Sequence, residues 1–173
     1  MTHQLQITVL GRDTTMSISE KLIGYWVVFL RLLTGWWFFH AGVNKYVTPG
    51  EFSAGWFLAQ QGTIVSPILN PLAGGWTEMI VNAVIPAGEI LIGLGLILGC
   101  LTRLASFFGA VLMAFFYFGN EMWRRSFVNG DLLGVVVFLT ILIFGAGRVW
   151  GIDAYLEQLE FVQSTPWLRY LLG

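Results

Sequence analysis

Ionisable side chains lie inside the most apolar parts of this sequence, where they could bind a ligand or exchange protons. The stretch FLRLLTGWWFFHAGVNKY, residues 29–46, carries Arg31, His40 and Lys45 among aromatic and aliphatic residues. A later apolar stretch carries Glu89. A charged side chain near the centre of a bilayer costs roughly 3 kcal/mol or more when it is unpaired. These four residues are therefore candidates for a functional site.

A second group of polar residues occurs where apolar stretches end. It consists of Asn44, Tyr117, Asn120, Glu121 and Asp131. We predict that these ends meet on one side of the molecule, with His40 and Lys45, and bind a ligand beneath a long loop. Asp131 could instead cap a helix N-terminus. Polar residues are also normal at helix ends, so a purely structural role is the alternative.

Four long apolar segments must position these side chains. They cover residues 22–45, 79–101, 104–123 and 131–150, and each has about 20 residues, enough to cross a hydrocarbon core of about 30 Å. The chain is 56% hydrophobic and 11% charged, whereas a soluble domain is typically about 25% charged. Helices satisfy their own backbone in lipid. The sequence therefore predicts an all-α membrane protein, a four-transmembrane-helix bundle over residues 22–150.

The connecting segments differ in character. Residues 1–21 form a polar N-terminal segment. The loop between the first two apolar segments is long and apolar, so we predict short helical pieces that lie at the outer interface as a lid. The alternative is a loop that packs on lipid. Residues 151–173 are predicted to form an amphipathic helix, a turn at Pro166 and a short apolar end along the inner interface.

The distribution of Lys and Arg indicates the orientation. With four spans, the N-terminus, the second loop and the C-terminus lie on one side, which carries Arg12, Lys21, Arg103, Arg148 and Arg169. The other side carries Lys45, Arg124 and Arg125. This excess predicts a multi-pass protein of the cell membrane with both termini in the cytoplasm.

Small residues share the helical stripes of two of the charged residues. At helical spacing, Arg31 is aligned with Gly35 and Gly42, and Glu89 with Gly93. Small residues mark the faces on which membrane helices pack, so both charges should point into the bundle. Counted from the inner helix ends at about 1.5 Å per residue, the two lie at similar depth. We therefore predict an Arg31–Glu89 ion pair, which either fixes helix register or lines a pocket.

Several chemistries find no support in the sequence. The lone cysteine, Cys100, forms no internal disulfide and no cysteine-cluster metal motif. The second histidine, His3, lies in the N-terminal segment, so we expect no bis-histidine haem within the chain. The glycines from Gly93 to Gly99 lie inside an apolar segment and suit helix packing. A net charge of −1 gives no footprint for nucleic acid. We expect no haem, metal or nucleotide.

Residues 22–150 resemble the DoxX/DoxD-like family of small four-helix membrane proteins. The resemblance rests on FFHAGVNKY, FSAGWFLAQQ, PAGEILIGLGLILGCLTRLAS and NGDLL, in this order. It implies a four-helix bundle. DoxD is named as the large subunit of an archaeal thiosulfate:quinone oxidoreductase associated with a terminal quinol oxidase.

The resemblance implies that a quinone is the bound substrate. A quinone suits a pocket with aromatic walls and a few polar groups. Arg31 could donate to a quinone carbonyl, and Glu89 or His40 could exchange protons. Because Cys100 is alone, we expect a partner subunit in the membrane or outside the cytoplasm, or further copies of the chain, to complete any enzyme.

The first function to consider is thus a quinone-interacting membrane subunit of a respiratory or sulfur-oxidising oxidoreductase. Two other functions stay open. One is a non-catalytic accessory or scaffold subunit, which predicts a filled bundle and a flat apolar face rich in small residues such as Gly93, Gly95 and Gly99. The other is a small transporter or lipid-handling protein, which predicts a polar path through the level of Arg31 and Glu89.

Overall fold

The structure is a computed structural model that describes residues 2–9, 11–48, 50, 52–120 and 122–173. Most of these residues are helical, as predicted. The helices are α1 (Glu20–Val47), α2 (Gly55–Leu58), α3 (Ser66–Leu69), α4 (Gly75–Leu98), α5 (Thr102–Gly119), α6 (Met122–Arg125), α7 (Gly130–Phe144), α8 (Asp153–Leu156) and α9 (Glu160–Ser164). Two strands, β1 (Thr2–Val9) and β2 (Arg12–Ser19), precede them.

The long helices identify a membrane protein. In the described part of the chain, α1, α4 and α5 are long and apolar enough to cross a bilayer. The fourth predicted segment forms α7, which is apolar but has 15 residues. It ends before residue 150 because Gly145 adopts a left-handed conformation, φ 59°, that terminates the helix. A fourth membrane crossing stays a prediction.

The long helices pack as two pairs. Helix α1 packs against α4, and α5 against α7, whereas α4 and α5 contact each other less extensively. The pairs share an apolar core in which the rings of Phe38 and Phe138 meet edge to face at 4.6 Å. A tight turn, with φ 65° at Gly99, joins α4 to α5, so these helices are antiparallel neighbours.

Glycines set the register between α1 and α4. A Cβ atom on Gly35 would lie 2.9 Å from the backbone nitrogen of Ile97, and one on Gly42 would lie 2.9 Å from that of Ile90. A Cβ on Gly93 would in turn meet the backbone of Phe39. The two backbones are therefore in direct contact, which no larger residue at these positions would allow.

Helix α1 extends beyond the end of α4. Its early residues pack on the segment that follows α7, where Gly24 approaches Val149 and the rings of Tyr25 and Trp150 meet at 5.5 Å. Because Gly35 already lies beside Ile97 near the end of α4, residues 20–30 of α1, about three turns, extend beyond α4.

The N-terminal segment forms an antiparallel hairpin, in which Thr2 pairs with Ser19 and Val9 with Arg12. The prediction of an all-α chain is therefore wrong for this segment. Its sequence alternates apolar and polar residues in QLQITV, a period-two pattern that favours a strand. Gly11, at φ 75°, supplies the turn.

The long loop folds back over α4 and α5. We call its described residues 52–74 the lid loop; it contains α2, α3 and a 3₁₀ turn at Asn70–Leu72. Apolar residues of the loop, including Leu58 and Leu69, form a second core with side chains of α4 and α5. The backbone N–H of Ala54 donates to Asn82 Oδ1 at 2.7 Å, which ties the loop to α4.

In the C-terminal tail, the stretch predicted as one amphipathic helix before Pro166 forms two short helices. Helices α8 and α9 are followed by a 3₁₀ turn that begins at Pro166. Val162 and Leu172 are buried, so the tail packs against the bundle. The tail thereby gains contacts that amphipathicity alone does not reveal.

The glycine contacts predict a position-dependent response to a single methyl group. Gly93→Ala should lower the free energy of unfolding by about 1–3 kcal/mol, because its Cβ meets backbone that must move. Gly88→Ala is the matched control on the same helix, since its Cβ would meet nothing within 4 Å. Thermal unfolding in detergent measures both. Equal midpoints for the two variants would contradict the α1–α4 register.

Candidate functional site

Arg31 is buried at the end of the bundle where α1 meets the chain after α7. Its side chain is 2% exposed. Nη1 donates to the carbonyl oxygens of Ala146 at 2.7 Å and Val149 at 3.1 Å, and Nη2 donates to that of Trp150 at 3.0 Å. The guanidinium therefore fastens α1 to the backbone that follows α7.

Asp153 completes this polar cluster. Its fully buried carboxylate accepts hydrogen bonds from the backbone N–H groups of Leu101 at 2.7 Å, Thr102 at 2.9 Å and Gly173 at 3.1 Å. It therefore caps the N-terminus of α5, and it also interacts electrostatically with Arg31. The arrangement has the contacts expected of a structural cluster.

Glu89 is paired with Lys45, which lies in the last turn of α1. Lys45 Nζ lies 2.9 Å from Oε1 and 2.6 Å from Oε2 of Glu89. The Glu89 side chain is 4% exposed and that of Lys45 is 24% exposed. The same ammonium lies 5.4 Å from the ring centroid of Phe52 in the lid loop, a distance that suits a cation–π interaction.

The predicted Arg31–Glu89 ion pair is wrong. Both side chains point inward as predicted, but Arg31 lies beside Gly99 and Glu89 lies beside Lys45. Along α1, Arg31 and Lys45 are separated by about 21 Å at about 1.5 Å per residue. Counting depth from the first apolar residue failed because α1 begins well outside the end of α4.

His40 is not brought into the predicted mouth. It is exposed on α1, where its ring lies 5.9 Å from that of Trp36. Its Nδ1 is 3.2 Å from Asn44 Nδ2, one turn later on the same helix. Both residues are exposed on α1, and Asn44 also lines a shallow pocket with Lys45, Thr48 and Phe52.

The ends of α5 and α7 do meet. Asn120 Nδ2 donates to Asp131 Oδ2 at 3.1 Å. The hydroxyl of Tyr117, which is buried, donates to the carbonyl oxygen of Phe127 at 2.9 Å. Tyr117 therefore holds the loop between the helices, while Asn120 and Asp131 form a polar pair. Glu121 lies outside the described residues.

The cap of α7 is Asn129, not Asp131. Asn129 Oδ1 accepts a hydrogen bond from the backbone N–H of Leu132 at 3.0 Å. Asp131 lies in the first turn, where a negative charge also favours the helix N-terminus. Asp131 also lines a pocket between the lid loop and the adjoining ends of α5 and α7.

An apolar cavity of ≈ 410 Å³ lies between the lid loop and helices α4 and α5. We call it the lid cavity. Its walls are aromatic and aliphatic side chains from the loop, α4 and α5, among them Phe52, Trp56, Phe57, Val81, Leu112 and Phe116. The sequence indicated the aromatic loop residues but not the cavity, because the cavity exists only once the loop is folded over α4 and α5.

A second pocket of ≈ 460 Å³, lined by both apolar and polar side chains, adjoins the lid cavity. We call its polar residues, Gln60, Asn120, Arg125 and Asp131, the polar mouth. Trp56, Phe57 and Phe116 line both spaces, and the rings of Phe57 and Phe116 meet edge to face at 5.7 Å. The two spaces together suit a ligand with an apolar body and a polar end.

The sequence matches the DoxX family over residues 26–120, more than half of the chain. This chain belongs to the DoxX family. No solved structure matches it.

The matched region contains the main contacts of this DoxX protein. It runs from α1 to the end of α5, so it includes the Lys45–Glu89 pair, the lid loop and every wall of the lid cavity. Arg125 and Asp131 lie beyond it. Those two residues of the polar mouth therefore belong to a part of the chain that the match does not cover. Arg125 and Gln60 were missed by sequence reasoning, since neither stands inside an apolar segment.

Cys100 lies in the turn between α4 and α5. Burial raises the pKa of the Cys100 thiol above its ordinary value, and the negative charge of Asp153 raises that pKa further. The thiolate is the reactive form of cysteine. The raised pKa therefore favours the protonated thiol of Cys100.

Alkylation with iodoacetamide should show this raised pKa. We expect the labelling rate of Cys100 to increase with pH with a midpoint above the value of about 8.5 that a free cysteine shows. A short unstructured peptide with one cysteine is the control, and the midpoint is compared, because burial lowers the absolute rate by itself. A midpoint at or below that of the peptide would contradict the environment described for the thiol.

A double-mutant cycle should distinguish the observed pairing from the predicted one. Lys45→Ala and Glu89→Ala should be coupled by about 0.5–3 kcal/mol in unfolding free energy, because each removes the other's partner. Arg31→Ala and Glu89→Ala should be additive within about 0.5 kcal/mol, since the residues are far apart. Chemical denaturation in mild detergent measures the four states of each cycle. Strong coupling between Arg31 and Glu89 would reverse the assignment.

Proposed function

We propose that this DoxX protein is a quinone-binding membrane subunit of an oxidoreductase. The observation that carries the proposal is the lid cavity and its junction with the polar mouth. A quinone has an apolar ring and two carbonyl oxygens that accept hydrogen bonds, so it requires apolar walls next to a few polar groups. The two adjoining spaces have this composition.

The residues of the polar mouth have the chemistry that a quinone needs. Arg125 is a permanent cation and donates to a carbonyl oxygen. Asp131 is a carboxylate that exchanges a proton when the quinone is reduced. Lys45 and Glu89 hold α1 and α4 together beside the lid loop. In this proposal Arg31 and His40 have no contact with the quinone.

Reduction of a quinone to a quinol takes up two electrons and two protons. We propose that the electrons come from a partner chain, because Cys100 is protonated and lies in the turn beside Asp153, away from the lid loop. The resemblance to DoxD suggests thiosulfate as the electron donor that such a partner oxidises. The chain described here contributes the binding site for the quinone and a route for protons.

Other observations make the scaffold function less favourable. That function expects Gly93, Gly95 and Gly99 on a flat apolar face of the bundle. In the structure, Gly93 contacts Phe39, Gly95 contacts Ala105, and Gly99 contacts Arg31. These glycines therefore pack against other parts of the same chain.

A polar path across the membrane is likewise not favoured. Such a path was expected at a shared level of Arg31 and Glu89. Those residues belong to two separate clusters, and the core residues of α4 between their levels, Ile92 and Leu96, are apolar. We further propose that both termini lie in the cytoplasm, on the basis of the Lys and Arg distribution, which places the lid loop on the opposite side.

Quinone content after purification tests the proposal. The full chain is purified in mild detergent from its native membrane, and bound quinone and co-purifying polypeptides are measured. Val81→Phe, which narrows the lid cavity, and Arg125→Gln, which removes a charged donor, should each lower retained quinone by about tenfold.

Two variants provide matched controls. Met79 is exposed on the same helix as Val81, and Arg169 is exposed in the tail. The variants Met79→Phe and Arg169→Gln should therefore both retain the native quinone content. If quinone is absent from the native protein while partner polypeptides co-purify, the accessory function replaces this proposal. If all four variants retain quinone, the ligand binds elsewhere.

A further inference from the structure

A second apolar space opens on the side of the bundle. It is a groove of ≈ 310 Å³ between α4 and α5, and we call it the side groove. Its walls include Val84, Leu91 and Phe108, each of which is more than half exposed. Gly88 also lines it, and a Cβ at Gly88 would meet no atom within 4 Å. The groove is thus open where the bundle faces lipid.

The side groove adjoins the lid cavity. Ile85, Leu112 and Phe115 line both spaces. The groove follows α4 from Val84 to Ile92, a length of about 12 Å at about 1.5 Å per residue. Two apolar spaces therefore lie next to each other, one on the side of the bundle and one beneath the lid loop.

The packing of the helices explains the groove. Helix α4 packs against α1 through the glycine contacts, and α5 packs against α7. Helices α4 and α5 therefore contact each other less extensively. The absence of a side chain at Gly88 leaves additional room between them. The groove follows from the two-pair architecture and needs no distortion of either helix.

We propose that the side groove holds the apolar tail of the ligand whose ring occupies the lid cavity, and that the ring enters from the bilayer along the same groove. This inference rests on the proposed quinone site. The ligand is then a membrane quinone with an isoprenoid tail: its polar end lies at the polar mouth, its ring in the lid cavity and its tail between α4 and α5.

The groove contributes shape selection more than binding strength. Lipid chains are as apolar as the groove walls, so a tail gains little hydrophobic free energy by moving between them. Affinity must come from the polar mouth and the aromatic walls. The groove should therefore matter for ligands that have a tail and be nearly irrelevant for those without one.

Binding of two quinones that differ in tail length tests this assignment. One carries a single isoprene unit and the other a long isoprenoid tail, and both are titrated into the full chain in lipid nanodiscs by quenching of tryptophan fluorescence. Gly88→Phe fills the groove from a position with free space. It should weaken binding of the long-tailed quinone by about tenfold, through steric overlap with the tail, and change the short-tailed quinone by less than about twofold.

Controls separate the groove from general effects. Ile143→Phe, exposed on α7, should change neither ligand, and Gly88→Leu should give an intermediate loss for the long tail. Each variant is compared with the native chain for the same ligand, which cancels differences in partitioning. The helix content of each variant is checked by circular dichroism.

The outcomes are distinct. If Gly88→Phe and Gly88→Leu leave both quinones unchanged, the tail does not lie in the groove. If both quinones weaken equally, the groove serves the ring and the tail assignment is wrong. If the native chain binds neither quinone, the proposed function fails and this inference with it.

Discussion

The direct backbone contact between α1 and α4 is the constraint on which the other features depend. Gly35, Gly42 and Gly93 allow the two helices to approach until their backbones touch. This contact fixes which residues of α1 and α4 lie opposite each other. It places Lys45 opposite Glu89, and it places Arg31 at the end of α4, where a different partner is required.

Arg31 finds that partner in backbone carbonyls. Ala146, Val149 and Trp150 present their oxygens because Gly145 ends α7 early and the chain then turns. A carbonyl carries only a partial negative charge, so three of them share the guanidinium, and the nearby Asp153 adds a full charge. The stability of this end therefore depends on an irregular segment, which must be held tightly for the arginine to remain buried.

The buried charges thus form two separate clusters, around Arg31 and around Glu89, and the space between α4 and α5 is lined by apolar side chains. The lid loop closes that space from one side and the polar mouth borders it. Lys45 connects the two regions, since it binds Glu89 and also lies over the ring of Phe52 in the lid loop. The candidate ligand site is accordingly built mainly from the loop, α4 and α5, with little contribution from α1.

The sequence was sufficient for some of these features. Apolar length predicted the helices, and small-residue stripes predicted that Arg31 and Glu89 point inward. The meeting of Asn120 with Asp131 followed from topology. The partner of Arg31 could not be predicted in this way, because the depth of a residue along one helix does not determine the register of that helix against its neighbour. The lid cavity could not be foreseen either, since its walls come from side chains far apart in sequence. The hairpin was overlooked although its alternating pattern is visible in residues 4–9.

The carboxylate of Asp153 connects the order of residues in the chain with the order of assembly. It caps α5, yet it is synthesised after α7, on the order of seconds later than α5 itself at ribosomal rates. During that interval the start of α5 has no cap from Asp153, and Arg31 has not yet acquired its carbonyls. This end of a nascent bundle therefore lacks these contacts until the segment after α7 has been synthesised.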